Sequence, residues 1–331
     1  MANVQKYFEQ FHEAIRTDYD SDQKLREKRD IVLEKITKSL RDAGRPCFDV
    51  LHQGSYSKDA RTGVKTIEDL RYDIDIGLRF AITEDKYTAE DVRGWVWETV
   101  DDHTDDVQDK GPCIRVIYAE GFHLDLVSYA YWTDAAGQEQ YRLAHKENGW
   151  RPTDPPGLLK CIKDARQPFS QLTDSATNTD QFRRVVRYLK RWYDEQIPKE
   201  SADKPTGLGF TLLCRERLAP SSTWDGISND RQALHSLAVS AETQAGRIAA
   251  NKPTPEYEDL YCKLSDTAMN NLKSRFGEMR SALEDADSEP DPVKACKRLK
   301  EVFGRDFPVP KESDTGKKTS SPAIVTSSYS A

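Results

Sequence analysis

The sequence predicts an α+β protein, a mixed or antiparallel sheet with flanking helices followed by a C-terminal helical lobe. Three observations predict it. Between Cys47 and Trp132 apolar residues alternate in "YDIDIGLRF", "CIRVIYA" and "FHLDLVSYAYW", and alternation rich in β-branched and aromatic residues marks strands. From Gln181 onward apolar residues recur every three or four positions, the period of a helix. The final "KESDTGKKTSSPAIVTSSYSA" is dominated by Ser, Thr and Lys and reads as a disordered tail. The expected divisions are a core with its N-terminal helices over 1–165, the helical lobe over 166–310 and the tail over 311–331.

Taken in order, Val4, Phe8, Phe11 and Ile15 recur at helical spacing. Asp22 opens a second helical run with Leu25, Val32, Ile36 and Leu40 on one face, Gly44 as its stop and Pro46 as a break. Cys47 to Leu51 is a short apolar strand. In "YDIDIGLRF", Ile74, Ile76, Leu78 and Phe80 share a face, because successive strand side chains point to opposite sides. Ala89 to Asp102 reads as a helix carrying Val92, Trp95, Val96 and Val100 on one side. The acids of "HTDD" (103–106) read as solvated surface in the loop leaving that helix. Strands are expected to about Trp132, and "RPTDPPG" after Trp150 reads as a loop. Helices then cover 181–196, 208–218, 230–250, 256–286 and 291–303. On the first, Phe182, Val185, Val186, Leu189, Trp192 and Tyr193 form an apolar stripe. Arg184 and Arg191 point away from it, Lys190 lies at its edge, and Arg183 and Arg187 read as surface charge.

Of the 331 residues, 37% are apolar and 32% charged, enough for a core beneath a very polar surface. No apolar run reaches the length of a membrane-spanning helix. The opening "MANVQKYFEQFHEAIR" lacks the apolar centre of a signal peptide, so a cytoplasmic location with no membrane partner is expected. The six cysteines are far apart and form no CxxC or Cys/His pair, the pattern of a reduced chain without structural zinc. A net charge of −7 argues against a protein that coats duplex DNA, because that affinity comes from neutralising phosphates. Nucleotide binding at a local site or through a metal stays open.

Asp73 and Asp75 lie at i and i+2 of a strand, so they project together, opposite the Ile/Leu/Phe face. Two adjacent carboxylates repel, and burying them unpaired is costly. Arg or Lys can neutralise them, and so can a hard divalent cation; the plain alternative is a solvated strand face. Asp125, in another strand-like run, adds a third acid. Three acids on neighbouring strands can hold two Mg²⁺ ions, the arrangement that suits in-line phosphoryl or nucleotidyl transfer. Gly54 and Ser55 follow the first strand; glycine lets backbone approach a phosphate, and the Ser55 and Ser57 hydroxyls can hold phosphate oxygens. The segment between Ser55 and Asp73 is polar, and its Lys58, Arg61 and Lys65 either meet phosphate or are solvated. His123, two residues before Asp125, reads as a structural neighbour.

The order strand, Gly-Ser, loop, strand with DxD, strand with Asp resembles the polymerase-β-like nucleotidyltransferase superfamily. "QGSYS…YDIDIGLRF…CIRVIYAEGFHLDLVSYA" is similar to the bacterial cGAS/DncV-like nucleotidyltransferases, from about Cys47 to Trp132, with weaker likeness in "RRVVRYLKRWYDE" and "VFGRDFP". The resemblance implies a polymerase-β-like core. It implies that Asp73, Asp75 and Asp125 bind two Mg²⁺ ions and form the catalytic set, Asp125 also assisting deprotonation of the attacking hydroxyl. It places Gln53, Gly54, Ser55 and Ser57 at the donor triphosphate, with Lys190 on its phosphates and Thr206, or else Thr211, assisting. The implied activity joins NTPs, ATP and GTP among them, into a cyclic di- or trinucleotide second messenger of anti-phage, CBASS-type defence. Transfer of a nucleotide to an RNA end, a small molecule or a protein is the alternative on the same fold, and a non-catalytic NTP sensor is another. The chain has no His/Cys cluster like that of the animal DNA sensor, so activation by duplex DNA is not expected. In some operons of this kind a partner conjugates the synthase's C-terminus, and a tail ending in Ala331 fits that, as it fits a plain disordered end.

Overall fold

The computed structural model describes residues 3–17, 23–57, 60–65, 73–197 and 203–312. The expected tail from 313 with Ala331, the helix opener Asp22, and Lys58 lie outside the described residues, as do the side chains of Leu25 and Asp73.

Helices α1 (Gln5–Ile15) and α2 (Gln23–Asp42) lead into strand β1 (Phe48–His52) and, after a 3₁₀ turn at Gly54–Tyr56, strand β2 (Asp73–Phe80). Helix α3 (Ala89–Val100) follows, opened by a capping box in which the Thr88 hydroxyl accepts from the Asp91 N–H and the Asp91 carboxylate accepts from the Thr88 N–H. Then come β3 (Asp106–Asp109), β4 (Ile114–Ile117), β5 (His123–Thr133), β6 (Glu139–His145) and β7 (Gly149–Thr153). Helix α4 (Pro155–Arg166) and a small hairpin at 173–180 lead to α5 (Gln181–Gln196), α6 (Gly207–Arg217), α7 (Asp230–Glu242), α8 (Asp266–Ser288) and α9 (Pro292–Phe303).

The sheet runs β1-β2-β5-β4-β3, with β6 joining the far half of β5 and β7 pairing β6. It is mixed: β2 and β5 are parallel, and the other pairs are antiparallel. Ile74, Ile76, Leu78 and Phe80 of β2 and Leu124, Leu126 and Ala130 of β5 face one core with Val32, Ile36 and Leu40 of α2 and Val92, Val96 and Val100 of α3. That fixes the opposite face of β2 and β5 as the one turned toward the helical lobe, because a strand has only two faces. The second core belongs to α5 to α9, and α1 joins it through Phe8, Phe11 and Ile15. Packing therefore crosses the 1–165 division: the first helix sits with the lobe that follows the sheet.

Other expectations are corrected. The sheet does not end near Trp132, and "RPTDPPG" is not simply a loop. Arg151, Pro152 and Thr153 complete β7, Asp154 caps α4 by accepting from the Gly157 N–H at 2.8 Å, and Pro155 starts the helix. Pro152 is tolerated because β7 pairs only with β6 and forms an edge. The helices expected over 230–250 and 256–286 are shorter, ending at Glu242 and beginning at Asp266. Between them the chain turns at Gly246, which has φ +70°, and the ammonium of Lys273 collects the Gly246 carbonyl at 2.9 Å. Ile248 and Ala250 are buried in this non-helical stretch, so its apolar spacing imitates a helix. The arginines of α5 are not surface charge: Arg183, Arg184, Arg187 and Arg191 are all buried. The helix is central to the lobe, so each guanidinium is matched by an acid or by carbonyls, without which burial would be prohibitive.

Candidate active site

The parallel pairing of β2 with β5 sets Asp75 directly opposite Asp125. Neighbouring strands lie about 4.8 Å apart, so two carboxylates share one level of the sheet. The position of Asp73 pairs with His123 two residues earlier. Burial by itself would not keep these acids here. Leu124 and Leu126 flank Asp125 and are anchored in the core behind it, and that anchorage forces the acid to the cleft side.

The Gly54 turn lies against Asp75. The Gln53 N–H donates to the Asp75 carbonyl at 3.3 Å, continuing the β1–β2 ladder into the turn. Gly54 has φ +61°, and a Cβ built there would stand 1.9 Å from Asp75 Oδ2. A larger residue here would strain the backbone and push the Asp75 carboxylate aside. Ser55 is half-buried within the turn. Ser57 is buried, its N–H donates to the Gly54 carbonyl, and its Oγ accepts from the Ala60 N–H at 3.1 Å. Gln53 Oε1 accepts from the Tyr129 hydroxyl at 3.0 Å. Burial, with the charge of Asp75 adding to it, pushes the Tyr129 phenol well above its ordinary range despite the opposing bond to Gln53, so it stays a donor. Gln53 and Ser57 thus brace the turn through these bonds, while Gly54 packs on Asp75.

Lys190 reaches the same cleft from α5. Its ammonium donates to the carbonyl and the Oγ1 of Thr62, both at 3.0 Å. Burial first and Arg187 second bring its pKa down to about 8, with Asp194, Cys214 and Asp75 opposing the shift. The charge of Asp75 is thus felt at Lys190. The lysine stem passes the first residue of α6: a Cβ on Gly207 would lie 3.3 Å from Lys190 Cε. Thr206, just before it, is exposed, and its Oγ1 caps α6 by accepting from the Gly209 N–H at 3.1 Å. Thr211 is buried and donates to the Gly207 carbonyl. Lys190 thus passes the start of α6, where Thr206 is the cap, and Thr211 is turned inward.

Arg115 was not singled out by sequence. Its Nε and Nη2 each donate to one oxygen of Asp125 at 2.7 Å. The tight turn at 118–122 closes a hairpin that sets Arg115 opposite Asp125 in register. Cys113 lies near both acids, and burial, then Asp125, push its thiol up to about 12, so it is a neutral neighbour. His123 stands in the ladder between the positions of Asp73 on β2 and Ile117 on β4.

As a metal site, Asp75 and Asp125 offer hard oxygen donors on one sheet face, the chemistry that suits Mg²⁺. Among the described residues no group of three acids, cysteines or histidines converges, and the side chain of Asp73 is outside that description. Among the described residues no helix is long and apolar enough to cross a membrane.

The nucleotidyltransferase domain of the cyclic GMP-AMP synthase DncV-like family matches residues 49–129, the span from β1 through Tyr129. Solved structures share the whole architecture. The Vibrio cholerae DncV cyclic AMP-GMP synthase is 14% identical, over 92% of this chain and 97% of that one, with a TM-score of 0.69. The Bradyrhizobium diazoefficiens CD-NTase CdnG, in complex with GTP, is 14% identical over 92% and 96%, with a TM-score of 0.68. Escherichia coli MS115-1 CdnC with ATP is 15% identical over 92% and 98%, with a TM-score of 0.62. At these identities the structures speak for the fold, and the domain match speaks for the core. Residues 49–129 match the DncV-like nucleotidyltransferase domain, and the chain around them has the fold of the bacterial cGAS/DncV-like nucleotidyltransferases.

Proposed function

We propose that the chain is a Mg²⁺-dependent nucleotidyltransferase that joins nucleoside triphosphates into a cyclic di- or trinucleotide, a second messenger of anti-phage defence. The observation that carries this reading is the Asp75–Asp125 pair, level on adjacent parallel strands, with Gly54 packed on Asp75. The solved relatives described with GTP and ATP suggest the substrate class.

In this reading Asp75 and Asp125, with Asp73, hold the divalent cations, which supply positive charge to the attacking and leaving oxygens. The Gly54-Ser55 turn brings backbone and a hydroxyl to the donor triphosphate. Lys190 neutralises phosphate charge from the opposite wall, with Thr206 at the start of α6 assisting. A ribose hydroxyl of the acceptor attacks the α-phosphorus in line, its proton passes to a carboxylate of the strand pair, and pyrophosphate leaves. The linear product then turns over for a second attack. The protein's part is to position and to stabilise charge.

Incubation with the four NTPs and Mg²⁺, followed by mass spectrometry, tests this. The expected product is a cyclic oligonucleotide that disappears in Asp73→Ala and Asp75→Asn. A nucleotide attached to RNA, a small molecule or the protein would replace this reading with one of those transfers. NTP binding without turnover would make the chain a sensor.

A further inference from the structure

We infer that Arg115 is the resident counter-ion of the acid pair, a positioning residue that a divalent cation must displace from Asp125. Asp75, Asp125 and Arg115 stand at one level of three adjacent strands, β2, β5 and β4. The sheet thus carries a row of acid, acid, base. Two neighbouring carboxylates need compensating charge when both are ionised, and the guanidinium supplies it with a two-pronged grip on both oxygens of Asp125. A cation seated on the pair has to take oxygen lone pairs from this grip and sit beside a like charge.

The pair is built so that the arginine is the partner that can yield. The Arg115 side chain is 31% exposed and that of Asp125 only 11%. Asp125 is held by its place in the central strand, between Leu124 and Leu126 in the core, whereas Arg115 carries its charge at the end of a long side chain with several rotatable bonds. Arg115 then sets the metal affinity of the free protein: it prevents repulsion in the empty acid pair and makes cation binding weaker than the acids alone would give.

This inference rests on the reading of Asp75 and Asp125 as metal ligands, and the test separates the two. Mn²⁺ alone is titrated into the full chain, and free Mn²⁺ is followed by electron paramagnetic resonance for wild type, Asp75→Asn, Arg115→Met and Arg115→Lys. The expected result is that Arg115→Met binds about tenfold tighter than wild type or more, since one unit charge nearby is worth at least that factor. Arg115→Lys, which keeps the charge but loses the fork, falls between them. Thermal melting of Arg115→Met should also drop without metal and recover on adding Mn²⁺ by more than wild type gains. If Asp75→Asn binds as well as wild type, the metal-ligand reading fails and this inference with it. If Asp75→Asn is weakened but Arg115→Met binds as wild type does, Arg115 is only a strand-to-strand ion pair and the inference alone is overturned.

Discussion

A single proton at Lys190 changes what the cleft can hold. The ammonium is half-buried, and burial followed by Arg187 brings its pKa to about 8, whereas an ordinary lysine titrates near ~10.4. It therefore loses its charge just above neutrality. Two consequences run in opposite directions. The grip on a triphosphate is full below about 8 and falls as pH rises through that value. The cost of burying the charge is present below the folded pKa and is relieved between it and the unfolded value, so this group's contribution to stability rises with pH across the same window. The donor-NTP KM is expected to rise up to about tenfold per pH unit above pH 8, one proton per ligand. Lys190→Arg should flatten that rise, because arginine stays charged. Initial-rate kinetics from pH 7 to 9.5 with both proteins check this (an identical KM profile in the variant would remove Lys190 from the phosphate site).

At the scale of elements, α5 does more than supply one lysine. Arg187 donates to the carbonyls of Gly63, at 3.1 Å, and of Arg61; Lys190 holds Thr62; Arg191 donates to the carbonyl of Lys65 at 2.8 Å. Lys190 and Arg191 stand three and four residues beyond Arg187, one helical turn along, so two turns of α5 grip the carbonyls of Arg61, Thr62, Gly63 and Lys65 in the segment that follows the Gly54 turn. Arg187 is itself seated by His12 of α1, whose Nε2 accepts from it at 2.6 Å. Burial, then Arg187, push His12 down to about 2, so it stays a neutral acceptor. Arg187→Met should raise amide exchange at 60–65 by about tenfold to a hundredfold, from hydrogen bonds to a charged group worth ~1.5–3 kcal/mol. Hydrogen-exchange mass spectrometry checks this, and unchanged protection there would show that the segment is held by something else. The apolar stripe of α5 was legible because it needs only spacing. The fate of its arginines was not, because their partners lie far off in sequence: Asp230 is 46 positions from Arg184, and Gly63 is 124 from Arg187.

Over the whole molecule, two cores meet around the cleft, and the lobe is tied by one buried polar hub. Arg184 and Asp230, both fully buried, pair at 2.7 Å. Burial would raise the Asp230 pKa, but Arg184, Gln181 and Ser228 outweigh it and hold it below the usual range. The Asp230 N–H donates to Gln5 Oε1 at 2.8 Å, and the Tyr188 hydroxyl lies 2.8 Å from the Phe8 carbonyl and 3.0 Å from Asp230. The hub thus joins α1, α5 and α7. Removing one partner leaves a buried charge uncompensated, so Asp230→Ala is expected to cost about 3–5 kcal/mol. Urea unfolding measures it, and a loss under about 1 kcal/mol, the scale of an exposed pair, would mean the hub is not buried in solution.

By itself the sequence determined the α+β class, the apolar faces of β2, α3 and α5, and the presence of the Gly-Ser turn and the three acids. These depend on local periodicity and on residue types with few uses, so a single pass along the chain can read them. Tertiary structure alone decided which acids stand level, that Gly54 packs on Asp75, that α1 joins the helical lobe, that the arginines of α5 are buried, and that Arg115 grips Asp125. Each of these depends on which strands pair and in what register. Register sets contacts between residues remote in the chain, and periodicity carries no information about them.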